Sequence, residues 1–220
     1  GDRRDATSPM RTAGSRRSVV AEEPPKETIM TGDGELKQLV LTPLQQECMA
    51  LLKARQYRSC ELVALFELSR QESSSKSDHN NNDGQALSTT LELLGDCCYH
   101  TEQHRRAVSF YRRAASLQRS LSMFSQQQQQ HGIWVVRTAS EAHLRYKESK
   151  SLAALGNVME ASSVLETIVS PRLQTLAMRM ELGHLYLASG RHSDAIRCFL
   201  AALERNPHAL EAIELLVVLG

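Results

Sequence analysis

The stretch LAMRMELGHLYLASGRHSDAIRCFLAALERNPHA, residues 176–209, decides the fold. Its apolar residues recur at the three- and four-residue spacing of amphipathic helices, in two blocks separated by Gly190. Gly183 and Ala195 are small enough for two antiparallel helices to approach each other closely, and Gly190 permits a tight turn between them. Pro207 cannot continue the second helix. The stretch therefore predicts a packed pair of antiparallel helices.

The spacing of these residues resembles the tetratricopeptide-repeat (TPR) signature, L-G-x-x-Y followed by A-x-x-x-F, A and P. The matching residues are Leu182, Gly183, Tyr186, Gly190, Ala195, Phe199, Ala202 and Pro207. One such hairpin cannot bury its apolar face alone, so neighbouring hairpins stack into a right-handed superhelix with a concave groove. We therefore expect an all-α fold, a TPR helical-hairpin solenoid.

The repeat period is visible elsewhere in the chain. A shift of 34 residues aligns residues 142–175 with the strong repeat, and a further shift aligns an earlier unit. The signature residues of these two units are Gly156, Ala161 and Leu165, and Gly95, Ala107, Tyr111 and Ala114. The predicted organisation is a disordered tail at 1–33, a degenerate helical pair at 34–71, a polar loop at 72–84, TPR units at 85–119, 140–175 and 176–209, a Gln-containing insert at 120–139, and the start of a further TPR helix at 210–220, where we expect a fragment to end.

Both extra segments fall between repeats, where added chain length costs little free energy. The Ile133–Val136 patch inside the insert is apolar. It predicts either packing back onto the fold or an extension of the next helix.

Composition excludes several classes of protein. The formal net charge is +1, which gives no electrostatic reason to bind nucleic acid or a membrane surface. No apolar run approaches the roughly 18 residues of a membrane-spanning helix. Five cysteines are too few for a disulfide scaffold, and none form C-x-x-C, so a reducing intracellular compartment is the simpler interpretation.

The sequence contains no complete catalytic or cofactor-binding motif. His100 and His104, with Cys97 nearby, have zinc-like spacing. The repeat register, however, places the two histidines in a turn between helices. We therefore expect no enzyme activity, no metal and no cofactor.

The register also predicts which side chains face the concave groove. They come from the first helix of each pair, and the candidate partner-binding residues are Glu92, Asp96, Tyr99, Tyr146, Lys150, Met180, His184 and Leu187. Chaperone-binding TPR domains hold a peptide carboxylate on this face with basic and amide side chains. Those places are occupied or neighboured here by Glu92, Asp96, Ala177 and Glu181. The acidic groups would repel a carboxylate, which argues against a chaperone cofactor.

The order of the features resembles the family of subunit 7 of the anaphase-promoting complex, over about residues 44–220. The most specific stretches are SEAHLRYK at 140–147 and PHALEAI at 207–213. The resemblance implies a non-catalytic TPR scaffold subunit of a cell-cycle E3 ubiquitin ligase that drives mitotic exit. It also implies homodimers formed through the N-terminal repeats, other TPR subunits and coactivators as partners, and a location in the nucleus and cytoplasm.

Two other interpretations stay open. The chain could be a TPR scaffold of another assembly, such as a ciliary or transport complex. It could also be a regulatory TPR segment of a larger enzyme. Further TPR units in the full-length protein favour a scaffold, whereas a catalytic domain favours the enzyme.

The first helical pair carries a candidate dimer face. Nothing in the polar segment 1–33 can cover its apolar side chains, and a symmetric contact between two copies would bury them. The face consists of Leu44, Met49, Leu51, Leu52, Leu62 and Leu65. The alternative is that these residues form the internal core of the first pair.

Overall fold

A computed structural model describes residues 41–74, 81–126, 131–168 and 173–219. Within these ranges every regular element is an α-helix. The helices are α1 (Pro43–Lys53), α2 (Tyr57–Ser74), α3 (Asn81–His100), α4 (His104–Gln126), α5 (His131–Ala154), α6 (Val158–Glu166), α7 (Leu176–Ala188), α8 (His192–Arg205) and α9 (Leu210–Leu219).

The first eight helices form four consecutive hairpins, each closed by the same turn. One residue in every turn has a left-handed backbone, with φ of 58° at Arg55, 61° at Glu102, 80° at Gly156 and 76° at Gly190. The next residue's N–H donates back into the preceding helix, as in the bond of 2.8 Å from Arg191 N to Tyr186 O. The same turn thus recurs in all four hairpins, including the first one.

Close approach within each hairpin follows from small side chains at matched positions. Cys60, Ala107, Ala161 and Ala195 begin the buried face of each second helix, and none of them is exposed. A Cβ atom at Gly183 would lie 2.4 Å from the ring of Phe199. The same distance separates a Cβ at Gly95 from the ring of Tyr111. Glycine is therefore required at both positions because an aromatic ring occupies the space of a side chain.

The buried apolar residues form two clusters along the solenoid. One joins α1 and α2 to α3 and α4 and includes Leu144 of α5, and the other joins α5 and α6 to α7, α8 and α9 and includes Val108 of α4. Ion pairs connect the two halves, because Arg112 of α4 binds Glu148 of α5 at 2.8 Å and Glu160 of α6 at 2.9 Å. Glu148 is itself buried and also accepts a bond of 2.9 Å from Arg145. The repeats thus stack in register across the insert.

The polar loop and the insert differ from the predicted boundaries. Helix α2 runs to Ser74 and α3 begins at Asn81, inside the predicted loop 72–84; α4 runs to Gln126 and α5 begins at His131, inside the predicted insert 120–139. Polar side chains next to these ends join α3 to α4, since the Gln118 amide donates to Gln85 at 3.1 Å and to Ser88 at 3.0 Å. The spacing of apolar residues, from which the boundaries were predicted, gives no information about such polar contacts.

Of the remaining boundary predictions, the helix extension through Ile133–Val136 agrees with the backbone of α5. Helix α9 begins at Leu210, where a further helix was predicted. The predicted tail 1–33 and residues 34–40 lie outside the described residues.

Candidate functional site

The TPR signature residues have packing roles. Within the strong repeat Leu182, Gly183, Tyr186, Ala195, Phe199 and Ala202 are buried, and Gly190 and Pro207 occupy turns. In the earlier units Gly95, Ala107, Tyr111, Ala114, Ala161 and Leu165 are buried, and Gly156 occupies a turn. These residues build the solenoid and leave the binding surface to other side chains.

The acidic pair predicted for the groove binds a cation, Lys147, that sequence reasoning missed. The ammonium of Lys147 on α5 reaches α3, where it lies 2.7 Å from a carboxylate oxygen of Glu92 and 2.8 Å from both oxygens of Asp96. The hydroxyl of Tyr111 donates to Asp96 at 2.7 Å. His143 lies 3.7 Å from Glu92. The pair therefore serves as a clasp between repeats, which we call the Lys147 clasp.

The clasp also sets the protonation of its members. Burial lowers the pKa of Lys147, but Asp96 and Glu92 outweigh it and hold that pKa above its ordinary value. Burial and the neighbouring Asp96 raise the pKa of Tyr111. Lys147 is consequently charged and Tyr111 neutral at physiological pH. In the sequence Lys147 stands out only as part of the SEAHLRYK stretch, and that stretch does not reveal which residues Lys147 contacts.

Beside the clasp, Lys150 projects between two aromatic rings. Its Nζ lies 5.6 Å from the ring centre of Tyr99 on α3 and 5.9 Å from that of Tyr146 on α5. These distances are within the range of cation–π attraction. No described carboxylate lies within 4.0 Å of Lys150. The structure thus brings together three of the predicted groove residues.

The groove residues of the last repeat are less available. Met180 is buried in the core, and Leu187 packs against it. The His184 ring lies edge-on to Phe199 at 5.7 Å, and its Nε2 is 3.1 Å from Glu211 of α9. The usable part of the groove therefore lies between α3 and α5, and α7, which carries Glu181, packs against α5.

The candidate dimer face divides into internal and external residues. Met49, Leu51, Leu52 and Leu65 pack against the core of the first two hairpins, and Leu44 is half-buried. Leu62, by contrast, is 70% exposed. Phe66, one helical turn further along α2, is 65% exposed and was not predicted. Leu62 is therefore the exposed residue of the predicted face, and Phe66 adds a second exposed apolar side chain beside it.

The two histidines with zinc-like spacing, His100 and His104, pack against aromatic rings. The His100 ring stacks on Tyr57 at 4.7 Å, and the His104 ring lies edge-on to Tyr99 at 5.3 Å. Among the described residues no group of three or more His, Cys, Asp or Glu side chains could hold a metal ion. Burial raises the pKa of the Cys98 thiol, which keeps it a poor nucleophile.

A cleft of about 330 Å³ lies against α7 and α8. Its rim carries Arg191 and Arg197, both paired with Asp194, and Arg191 also binds Glu166 at 3.1 Å. The guanidinium of Arg191 covers the Tyr186 ring at 4.2 Å. Because the charged side chains of the rim already pair with one another, the cleft has fewer groups available for binding a ligand than the groove between α3 and α5. None of the helices in the described ranges is long and apolar enough to cross a membrane.

The comparisons with known proteins agree with this architecture. The family model described as "Tetratricopeptide repeat" matches residues 180–219. A solved structure, "Crystal structure of MamA", superposes with a TM-score of 0.55 at 13% identity and covers 82% of this chain and 84% of that one. The fold is a TPR solenoid.

Two curated relatives are similar in sequence. Anaphase-promoting complex subunit 7 of Arabidopsis thaliana is 25% identical over 187 residues, which is 80% of this chain and 32% of the relative. Anaphase-promoting complex subunit 7 of Homo sapiens is 28% identical over 128 residues, 56% of this chain and 22% of the relative. This chain thus spans about a third or less of the length of these relatives.

Proposed function

We propose that the chain is part of a non-catalytic TPR scaffold subunit of the anaphase-promoting complex, a cell-cycle E3 ubiquitin ligase. The observation that carries the proposal is the alignment with the Arabidopsis subunit over 80% of this chain. A single generic repeat would align over about 34 residues. The similarity therefore extends through several repeats and the segments between them.

The roles of the side chains in packing and in the groove support a scaffold function. The TPR signature residues pack the core or form turns. Polar side chains of the groove form the Lys147 clasp, and Lys150 lies beside it between Tyr99 and Tyr146. Stacked hairpins present extended surfaces, which suit binding to other proteins. The partners that we propose are other TPR subunits and coactivators of the ligase, met in the nucleus and cytoplasm.

Affinity purification of the tagged full-length protein, followed by mass spectrometry, tests this proposal. We expect subunits of the anaphase-promoting complex in stoichiometric amounts. Recovery of a ciliary or transport assembly instead would assign the scaffold to another complex. A catalytic domain in the full-length chain would favour a regulatory TPR segment of an enzyme.

We also propose a homodimer that uses Leu62 and Phe66 of α2. Both side chains are more than half exposed, and burying them against a second copy removes apolar surface from water. Sedimentation equilibrium at micromolar concentration should show a dimer for the wild type and a monomer for the Leu62→Asp/Phe66→Asp variant.

Met159→Asp provides the matched control, because Met159 of α6 is 66% exposed and lies far along the chain. It should leave the dimer intact. A monomeric wild type, or a dimer that survives the double substitution, would remove this part of the proposal without affecting the scaffold assignment.

A further inference from the structure

The groove between α3 and α5 contains hydrogen-bond donors that have no partner among the described residues. The hydroxyls of Tyr99 and Tyr146 make no hydrogen bond to any described residue, and the Lys150 ammonium has no described carboxylate partner. All three side chains are half-buried. A polar group that is partly withdrawn from water gains from a partner that completes its hydrogen bonds. The cluster is therefore suited to an acceptor supplied from outside.

A carboxylate matches these three donors. It carries two oxygens with about four acceptor positions, which an ammonium and two hydroxyls can fill. Glu92 and Asp96 do not compete for this role, because Lys147 already binds both at 2.7–2.8 Å. Of the three acidic residues expected to repel a carboxylate in this groove, Glu92 and Asp96 have Lys147 as their counter-ion. The clasp removes much of the expected repulsion.

A second charged group without a described counter-ion, Glu181 of α7, acts on Tyr146. Burial raises the pKa of the Tyr146 hydroxyl, the positive charge of Lys150 lowers it, and the negative charge of Glu181 on α7, which packs against α5, raises it. No described cation lies within 4.0 Å of Glu181. The groove thus presents an unpaired positive charge and an unpaired negative charge, and both act on Tyr146.

We infer that this part of the groove binds a partner segment in which an acidic side chain and a basic side chain stand close together. The acidic group contacts Lys150, Tyr99 and Tyr146, and the basic group contacts Glu181. A segment with several acidic residues fits poorly because Glu181 and the net negative clasp repel it. This inference deepens the scaffold proposal and depends on it only for the use of the groove as a binding surface.

Selection from a random peptide library displayed within a phage coat protein tests the inference, because such peptides have no free carboxyl terminus. The immobilised protein is the complete 220-residue chain. We expect enrichment of peptides that combine Asp or Glu with Lys or Arg at a fixed spacing. Lys150→Met should abolish the preference for the acidic residue, and Glu181→Gln should abolish the preference for the basic one.

Fluorescence anisotropy with a selected peptide then gives magnitudes. Replacing its acidic residue by the amide, or Lys150 by Met, should weaken binding about ten- to a hundred-fold, as expected for a charge-assisted hydrogen bond. Tyr99→Phe and Tyr146→Phe keep the rings and should each weaken binding several-fold. Lys53→Met is the control, since Lys53 is an exposed lysine at the end of α1.

Circular dichroism of each variant shows whether the fold is retained, and Lys150→Arg keeps the charge if Lys150→Met unfolds. The inference would be overturned if the selected peptides lacked an acidic residue. It would also be overturned if selection on the Lys150→Met variant enriched the same peptides as selection on the wild type. Enrichment only from a library with free carboxyl termini would also overturn it, by assigning a terminal carboxylate. Copurification of the ligase subunits is a separate result, so failure of the peptide experiment leaves the scaffold proposal standing.

Discussion

Gly183→Ala should destabilise the fourth hairpin although alanine is the better helix former. The added Cβ would lie 2.4 Å from Cε1 and 2.7 Å from Cζ of Phe199, whereas ordinary contact begins at 3.4 Å. The ring must therefore move by roughly 1 Å to restore a normal contact. Phe199 is fully buried, and the His184 ring lies against it at 5.7 Å. Little space is available for this movement.

The magnitude follows from two opposing effects. Overpacking a core costs about 1–3 kcal/mol. Replacing Gly by Ala inside a helix contributes about 1 kcal/mol of stabilisation. Because the overlap is large and the ring is confined, we expect a net loss of about 2 kcal/mol. In a chain of this size that loss corresponds to a decrease in Tm of roughly 4–8 °C.

Thermal and urea unfolding followed by circular dichroism measure this effect. Gly84→Ala is the matched control, because its Cβ would meet only the end of the flexible Leu121 side chain, at 2.9 Å. It should be neutral or slightly stabilising. Adding Phe199→Leu to Gly183→Ala makes room for the methyl group, so the two losses should be less than additive. A Gly183→Ala protein that melts at or above the wild type would refute the reasoning.

Three further predictions concern stability. Ala195→Arg should cost about 3 kcal/mol or more by urea unfolding, since Ala195 is fully buried and the variant must bury a charge; a change in Tm of less than a few degrees would contradict the register. Arg55→Gly should raise the free energy of unfolding by about 0.5–1 kcal/mol, because Arg55 has a φ of 58° that glycine adopts without strain, and an unchanged midpoint would count against that strain. The hydrogen bonds from Arg70 lower the pKa of buried Glu67, so its contribution to stability is present above the ordinary glutamate pKa of 4.5 and is lost as the pH falls through the lowered value. Acid titration of unfolding should therefore show a weaker pH dependence for Glu67→Gln than for the wild type, and parallel curves would exclude this role.

The sequence alone determined the helical hairpins and their register. Small residues, aromatic residues and turn residues recur at fixed intervals along the sequence. Because an α-helix has a fixed pitch, residues at those intervals lie on one packing face. The structure places Ala195, Phe199 and Gly190 as this pattern predicts. The left-handed turn residues Arg55 and Glu102 obey the same register, but their identity gave no signal, because glycine is the residue expected there.

Only the tertiary structure decided which charges and apolar side chains are available for binding. Lys147 meets Glu92 and Asp96 although the insert separates them in sequence, and this contact depends on how two hairpins stack. Likewise, Leu65 packs into the core while Leu62 on the same helix is exposed, since the neighbouring helices cover one side of α2 and leave the other open. Periodicity reports the faces of a single helix, whereas pairing and exposure depend on what the adjoining helices bring to each face.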